Sequence, residues 1–284
     1  MDIGGEAQRV RNPDGERLFV TALARAFGGA IVFALPMLMT LEMWALGFYM
    51  EPLRLAMLLV VLLPLLIGLS HFVGFEETFD WKDDVVDAFV AYAVGFIAAA
   101  PILVLFGVIT ASMSAAEIIG KISLQAVPGS IGALLAQSQF SADSSGRRRK
   151  EKRDDTYAGE VFFMAAGAIF LSLNVAPTEE MILISYQMTP WHALVLCVLA
   201  LLLMHAFVYS VEFSGKSDIP RGTPRWSVFL RYTFVGYAVC LLISAYMLWT
   251  FGRVDGLSTE EMVMTTVVLA FPAAIGAAAA RLIL

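Results

Sequence analysis

Runs of eighteen or more apolar residues recur along this chain, as in "LRLAMLLVVLLPLLIGLS" (53–70) and "WHALVLCVLALLLMHAFVYSV" (191–211). Each is long enough to cross about 30 Å of hydrocarbon as a helix. The surrounding composition agrees: of 284 residues, 59% are hydrophobic and only 15% charged, with mean hydropathy +0.75. A soluble domain of this length cannot bury that much apolar surface. The expected class is an all-α, polytopic helical membrane protein. Its opening, "MDIGGEAQRVRNPDGERLF", is polar and contains acids. It does not read as a signal peptide, which needs a basic start and then an apolar core. Cys197 and Cys240 fall inside apolar spans and read as small core residues, not as a disulfide or metal ligands.

The chain also resembles itself. At an offset of 145, "FVAYAVGFIAAAPILVLFG" (89–107) falls on "FVGYAVCLLISAYMLWTFG" (234–252), with nine identities across residues 86–112. At 144, Ser114, Glu117, Pro128 and Gly132 fall on Ser258, Glu261, Pro272 and Gly276. At 138, Gly29, Thr40, Glu42, Met43, Met50 and Pro52 fall on Gly167, Thr178, Glu180, Met181, Met188 and Pro190. Colinear matches of Gly, Pro and Glu point to a tandem duplication.

Spans are expected near 18–40, 53–74, 86–110, 157–176, 190–211, 227–250 and 262–283. The segment 115–138 carries Glu117, Lys121 and Gln125, but its duplicate is plainly apolar, so it counts as the eighth. This predicts a tail (1–17), a four-helix unit (18–138), a basic linker (139–156) and a second four-helix unit (157–284). Pro36 and Pro177 divide the stretches before Pro52 and Pro190, so "TLEMWALGFYM" and "TEEMILISYQM" read as separate short helices. Eight crossings put Arg9, Arg11, Arg17, the run "GRRRKEKR" (146–153), Lys216, Arg221 and Arg225 on one side. That asymmetry makes their side, and both termini, cytoplasmic in a bacterial inner membrane. Units with even helix counts insert the same way up, which makes the repeat parallel.

Glu42, Glu117, Glu180 and Glu261 then fall at the outer helix ends at one depth, related in pairs. Carboxylates crowded in a low-dielectric site either hold protons or bind a cation. Oxygen ligands suit a hard cation such as Ca²⁺, Mg²⁺ or Mn²⁺. Glu117, Lys121 and Gln125 share one helix face, at i, i+4 and i+8, and with Glu179 they are candidates to line a pathway. The competing account is structural. "SAAE" and "STEE" fit the capping box, and Thr178 can cap a helix that starts with Glu179 and Glu180. Arg25, Asp87 and Glu160 lie near helix ends, where snorkelling accounts for them. No spacing links His71, His192 and His205. No nucleotide loop, nucleophile elbow or paired metal motif is present, so no enzyme, cofactor or nucleic-acid partner is expected.

Through "NVAPTEEMILIS" and "LQAVPGSIGALLA" the chain resembles a family of bacterial integral membrane proteins of unknown function. The resemblance covers most of the chain and implies a membrane location but no activity. The functional expectation is a secondary transporter or channel for a cation or proton, working in the lipid bilayer and compatible with a homo-oligomer. The alternative is a scaffold, sensor or lipid-binding protein in which the glutamates are caps.

Overall fold

The computed structural model of the chain describes residues 13–73, 81–140, 157–213, 226 and 229–283. The basic run 146–153 lies outside them. Among the described residues, one order of helices occurs twice: long, short, then three long. It begins with α1 (Pro13–Leu38), α2 (Leu41–Tyr49), α3 (Pro52–Val73), α4 (Trp81–Leu105) and α5 (Ala115–Phe140). It continues with α6 (Tyr157–Val175), α7 (Glu180–Gln187), α8 (Pro190–Phe213), α9 (Val235–Thr250) and α10 (Thr259–Ile283). A π-helical turn, Phe229–Phe234, leads into α9 and completes its span. Eight of the described helices are long and apolar enough to cross a membrane.

Each half is organised around its last helix. α5 packs on α1, α2, α3 and α4, and α10 packs on α6, α7, α8 and α9. Burial follows: 78% of the apolar window of α5 lies inside the protein and 61% of that of α10, against 17% for α8. This is why α5 tolerates Glu117, Lys121 and Gln125, since a helix wrapped by others need not match lipid. It also explains why α5 and α10 are rich in Gly and Ala: small residues let backbones close in. A Cβ on Gly29 would collide with the Gly132 carbonyl and with Ala136; one on Gly167 would collide with the Gly276 carbonyl and with Ala280. α5 runs unbroken through Pro128.

The short helices form where the sequence breaks them off. Met50 and Met188 turn extended, with ψ 134° and 146°. Pro52 and Pro190 then open α3 and α8 at the first helical position, where a missing N–H costs nothing. α4 departs from its expected bounds, spanning Trp81–Leu105 instead of 86–110. Asp83 and Asp84 occupy its first turn, favoured by the helix dipole, and they interrupt the apolar signal there. Its end is set by Gly107 at φ +71°. The Val108 N–H bonds the Leu103 carbonyl and the Gly107 N–H bonds that of Val104. The same Schellman pair closes α9, with Gly252 at φ +70°, Arg253 bonding Leu248 and Gly252 bonding Trp249.

The expectation that Thr178 caps the following helix is corrected. Its hydroxyl turns back and donates to the Val175 carbonyl at 2.9 Å, and Thr40 likewise donates to Pro36 at 2.6 Å. Neither short helix has a side-chain cap. The carbonyls at the end of the preceding long helix are the nearer unsatisfied groups, and the threonines serve them.

The halves meet through an apolar core containing Leu58, Leu62 and Leu66 of α3, Leu173 of α6 and Met247 of α9. Phe33 meets Phe170 edge-on at 5.1 Å, and Phe72 lies 5.2 Å from Phe162.

Candidate functional site

Successive spans alternate in direction. The ends of α1, α4, α6 and α9 and the starts of α3, α5, α8 and α10 therefore share one end of the bundle with α2 and α7. Glu42, Glu117, Glu179, Glu180 and Glu261 all lie at this end, and their surroundings differ sharply.

Glu117 and Lys121 form an ion pair at 2.8 Å, with side chains only 17% and 8% exposed. The Lys121 ammonium also donates to the Val108 carbonyl at 3.2 Å and approaches the Met113 sulfur at 3.5 Å. Its stem passes Gly47 of α2, where a Cβ would sit 2.7 Å from the Lys121 Cα. One turn deeper, Gln125 is 1% exposed. Its amide nitrogen donates to the Met37 carbonyl at 3.0 Å, while its Oε1 has no partner. Gln125 thus helps finish α1, whose last four carbonyls are all bonded. Leu35 receives the Met39 N–H, Pro36 the Thr40 hydroxyl, Met37 the Thr40 N–H, and Leu38 the Trp44 indole.

In the second half the matching place holds no charge. Thr265 donates to Ser185 of α7 at 2.9 Å, where the first half sets Lys121 against Gly47. Glu261 closes a reciprocal capping box. It accepts from the Ser258 N–H at 2.7 Å, and its own N–H donates to the Ser258 hydroxyl at 3.3 Å. In the first half only the Glu117 N–H reaches Ser114, at 3.2 Å, because the carboxylate has turned to Lys121.

Glu42 is half-buried and Glu180 exposed. Glu179, 81% exposed, lies 3.6 Å from Arg253. Among the described residues no three His, Cys, Asp or Glu side chains group to hold a metal ion. The reason is local. Glu117 and Glu261 are each engaged within their own half, and α7 starts with its acids toward the outside.

Several features escaped sequence reasoning. Arg54 of α3 forks onto Asp255 of the α9–α10 loop, with both bonds at 2.9 Å, and donates to the Trp249 carbonyl at 2.8 Å. A lone Arg one turn into an apolar span is the signal that was available. At the opposite end of the bundle His71 lies 2.9 Å from the buried carboxylate of Asp84, and Ser70 donates to Asp87 at 3.0 Å. His205 meets Thr233 at 3.0 Å and His192 meets Thr189 at 2.8 Å, so the three histidines serve separate local bonds.

A family model described as "Putative integral membrane protein (DUF2391)" matches residues 22–284, nearly the whole chain, from within the first span to the last. The chain belongs to this family. The family description carries a membrane assignment, with which the eight apolar helices agree, and no activity. No curated protein and no solved structure matches the chain.

Proposed function

We propose that this membrane protein moves a small cation or protons across the bilayer, as a secondary transporter or channel. Its polar centre is the Glu117–Lys121 pair with Gln125 below it. The observation that carries this reading is an ammonium group 8% exposed inside a spanning helix. Charge at that depth is costly, and in membrane proteins it marks ion or proton pathways by default. Short helices ending against a long one, as α2 and α7 do, are a common way to present polar groups at such a site.

The matched contacts of the two halves support a parallel duplication: Gly29 with Gly132 and Gly167 with Gly276, and the left-handed Gly107 and Gly252. In this reading the basic loops face the cytoplasm and the α2–α7 end faces outward. Glu42, Glu179, Glu180 and Glu261 then form an acidic mouth that concentrates cations, without ligating one in common. A divalent cation at that mouth, and assembly of copies, belong to the same proposal.

The competing scaffold or sensor reading is favoured by one observation. The Ser258–Glu261 box and the fully bonded Lys121 ammonium are what purely structural groups look like. Flux in proteoliposomes decides between them. Protein under imposed pH, Na⁺, K⁺ and Mg²⁺ gradients is expected to carry a current that Lys121→Met and Glu117→Gln abolish. Absence of flux in the wild type under every gradient overturns the transport reading.

A further inference from the structure

The contacts between the halves differ in kind from one end of the bundle to the other. At the end away from α2 they are aromatic. Phe72, at the end of α3, stacks within 5.2 Å of Phe162 and 5.3 Å of Phe163 at the start of α6, and Phe162 covers Gly68. At the α2 end they include a charged grip. Arg54 holds Asp255 through two bonds and the Trp249 carbonyl through a third, and its guanidinium carbon lies 5.2 Å from the Trp249 ring centre. Glu51 approaches the Arg54 Nε at 3.2 Å, close in charge but not aligned as a hydrogen bond. Gly252 keeps the place open: a Cβ there would lie 3.2 Å from both Arg54 Nη1 and Asp255 Oδ2.

We infer that Arg54 and Asp255 form a latch that closes the seam between the two halves at the α2 end, with the Phe72–Phe162–Phe163 rings as the hinge opposite. The physical asymmetry supports this. Asp255 is 56% exposed, so water can take over the Arg54 bonds as the two part. Parting the rings exposes apolar surface with nothing in return. Opening therefore starts at the charged end.

The seam behind the latch is suited to wetting. Tyr246 and Thr250 bring buried hydroxyls toward one another without a well-aligned bond to any other group. They share a stripe of α9 with Ile243 and Met247, which belong to the core that includes α3. Buried hydroxyls of that kind gain bonds when water enters. The latch is also one-sided. The position matching Arg54 is His192, bonded locally to Thr189, and that matching Asp255 is Thr110, which meets Ser112.

The inference rests on the transport reading for its purpose but is tested without it. The reporter is Thr250→Cys, near-isosteric and 0% exposed, in protein carrying Cys197→Ala and Cys240→Ala. A membrane-impermeant maleimide is added to the full chain in liposomes. Asp255→Ala and Arg54→Gln are expected to speed labelling about tenfold or more, the factor that about 1.4 kcal/mol of lost closure produces. Glu51→Gln, which leaves the cross-seam bonds in place, is expected to leave the rate within about twofold. Asp255 is at the surface, so its variant keeps the test alive if Arg54→Gln does not fold. Unchanged labelling in folded Asp255→Ala overturns the latch, whatever the flux. Faster labelling in a protein that passes no ion upholds the latch and removes the transport reading.

Discussion

The buried pair on α5 makes a quantitative prediction. In Glu117→Gln the Lys121 ammonium stays 8% exposed, keeps the Val108 carbonyl, and gains only a neutral amide oxygen in place of a carboxylate. A fully orphaned buried charge costs about 3–5 kcal/mol. With one carbonyl retained the expected loss is about 1–3 kcal/mol, the range for an unsatisfied buried polar group. Lys121→Met keeps the stem that packs on Gly47 and leaves the carboxylate as the unpaired partner. Glu117 is the more exposed of the two and can turn to water, so the expected loss is smaller than that of Glu117→Gln. The double variant removes both charges and is expected to match the wild type within about 1 kcal/mol, as replaced buried pairs often do. Unfolding in mixed micelles, followed by circular dichroism with increasing SDS, gives the four stabilities of the cycle. The signature is non-additivity: the double variant is more stable than the sum of the single losses predicts. Additive losses, or Lys121→Met costing more than Glu117→Gln, refute the claim that the pair is buried and mutually dependent.

Two further outcomes follow from the same structure. Gly29→Ala and Gly167→Ala drive a methyl into the facing helix backbone and are expected to cost more than about 2 kcal/mol. Gly28→Ala, with nothing within 4 Å, gains about 0.5–1 kcal/mol from its helical position, and thermal unfolding in detergent ranks the three. In the topology of the proposed function, cysteines at Ser145 and Asp218 label only from the cytoplasmic side and one at Gln187 only from outside; labelling of position 145 from outside breaks the eight-crossing count.

Much of the architecture was legible because its determinants are local. Apolar length marks a span, and Pro52 and Pro190 mark where the short helices must give way to long ones. Gly107 and Gly252 stand where only a residue free to adopt positive φ ends a helix cheaply. Residues 115–138 carry Glu117, Lys121 and Gln125, which weaken the signal there, yet the segment is still long and apolar enough for a span, as its apolar counterpart suggests. Thr178 misled because one side chain can serve the helix before it or the helix after it, and the sequence does not say which carbonyls or N–H groups are left over.

The site divides along the same line. That Glu117 and Lys121 can pair follows from four-residue spacing on a helix, with no tertiary information. That the pair is buried does not follow, since burial is conferred by α1, α2, α3 and α4 closing around α5. That Glu42, Glu117, Glu180 and Glu261 form no three-membered metal-holding group was equally out of reach: equal depth along an axis fixes height, not the direction in which each carboxylate turns. Arg54 and Asp255 are 201 residues apart, and the residues that align with them, His192 and Thr110, form no charged pair. Their meeting depends on how one half rests against the other. Sequence by itself determined the class, the crossings and the helix ends, because each is decided within a few turns of chain. Only the tertiary structure decided which charges are enclosed and which join the halves, because those outcomes depend on packing between segments that share no local signal.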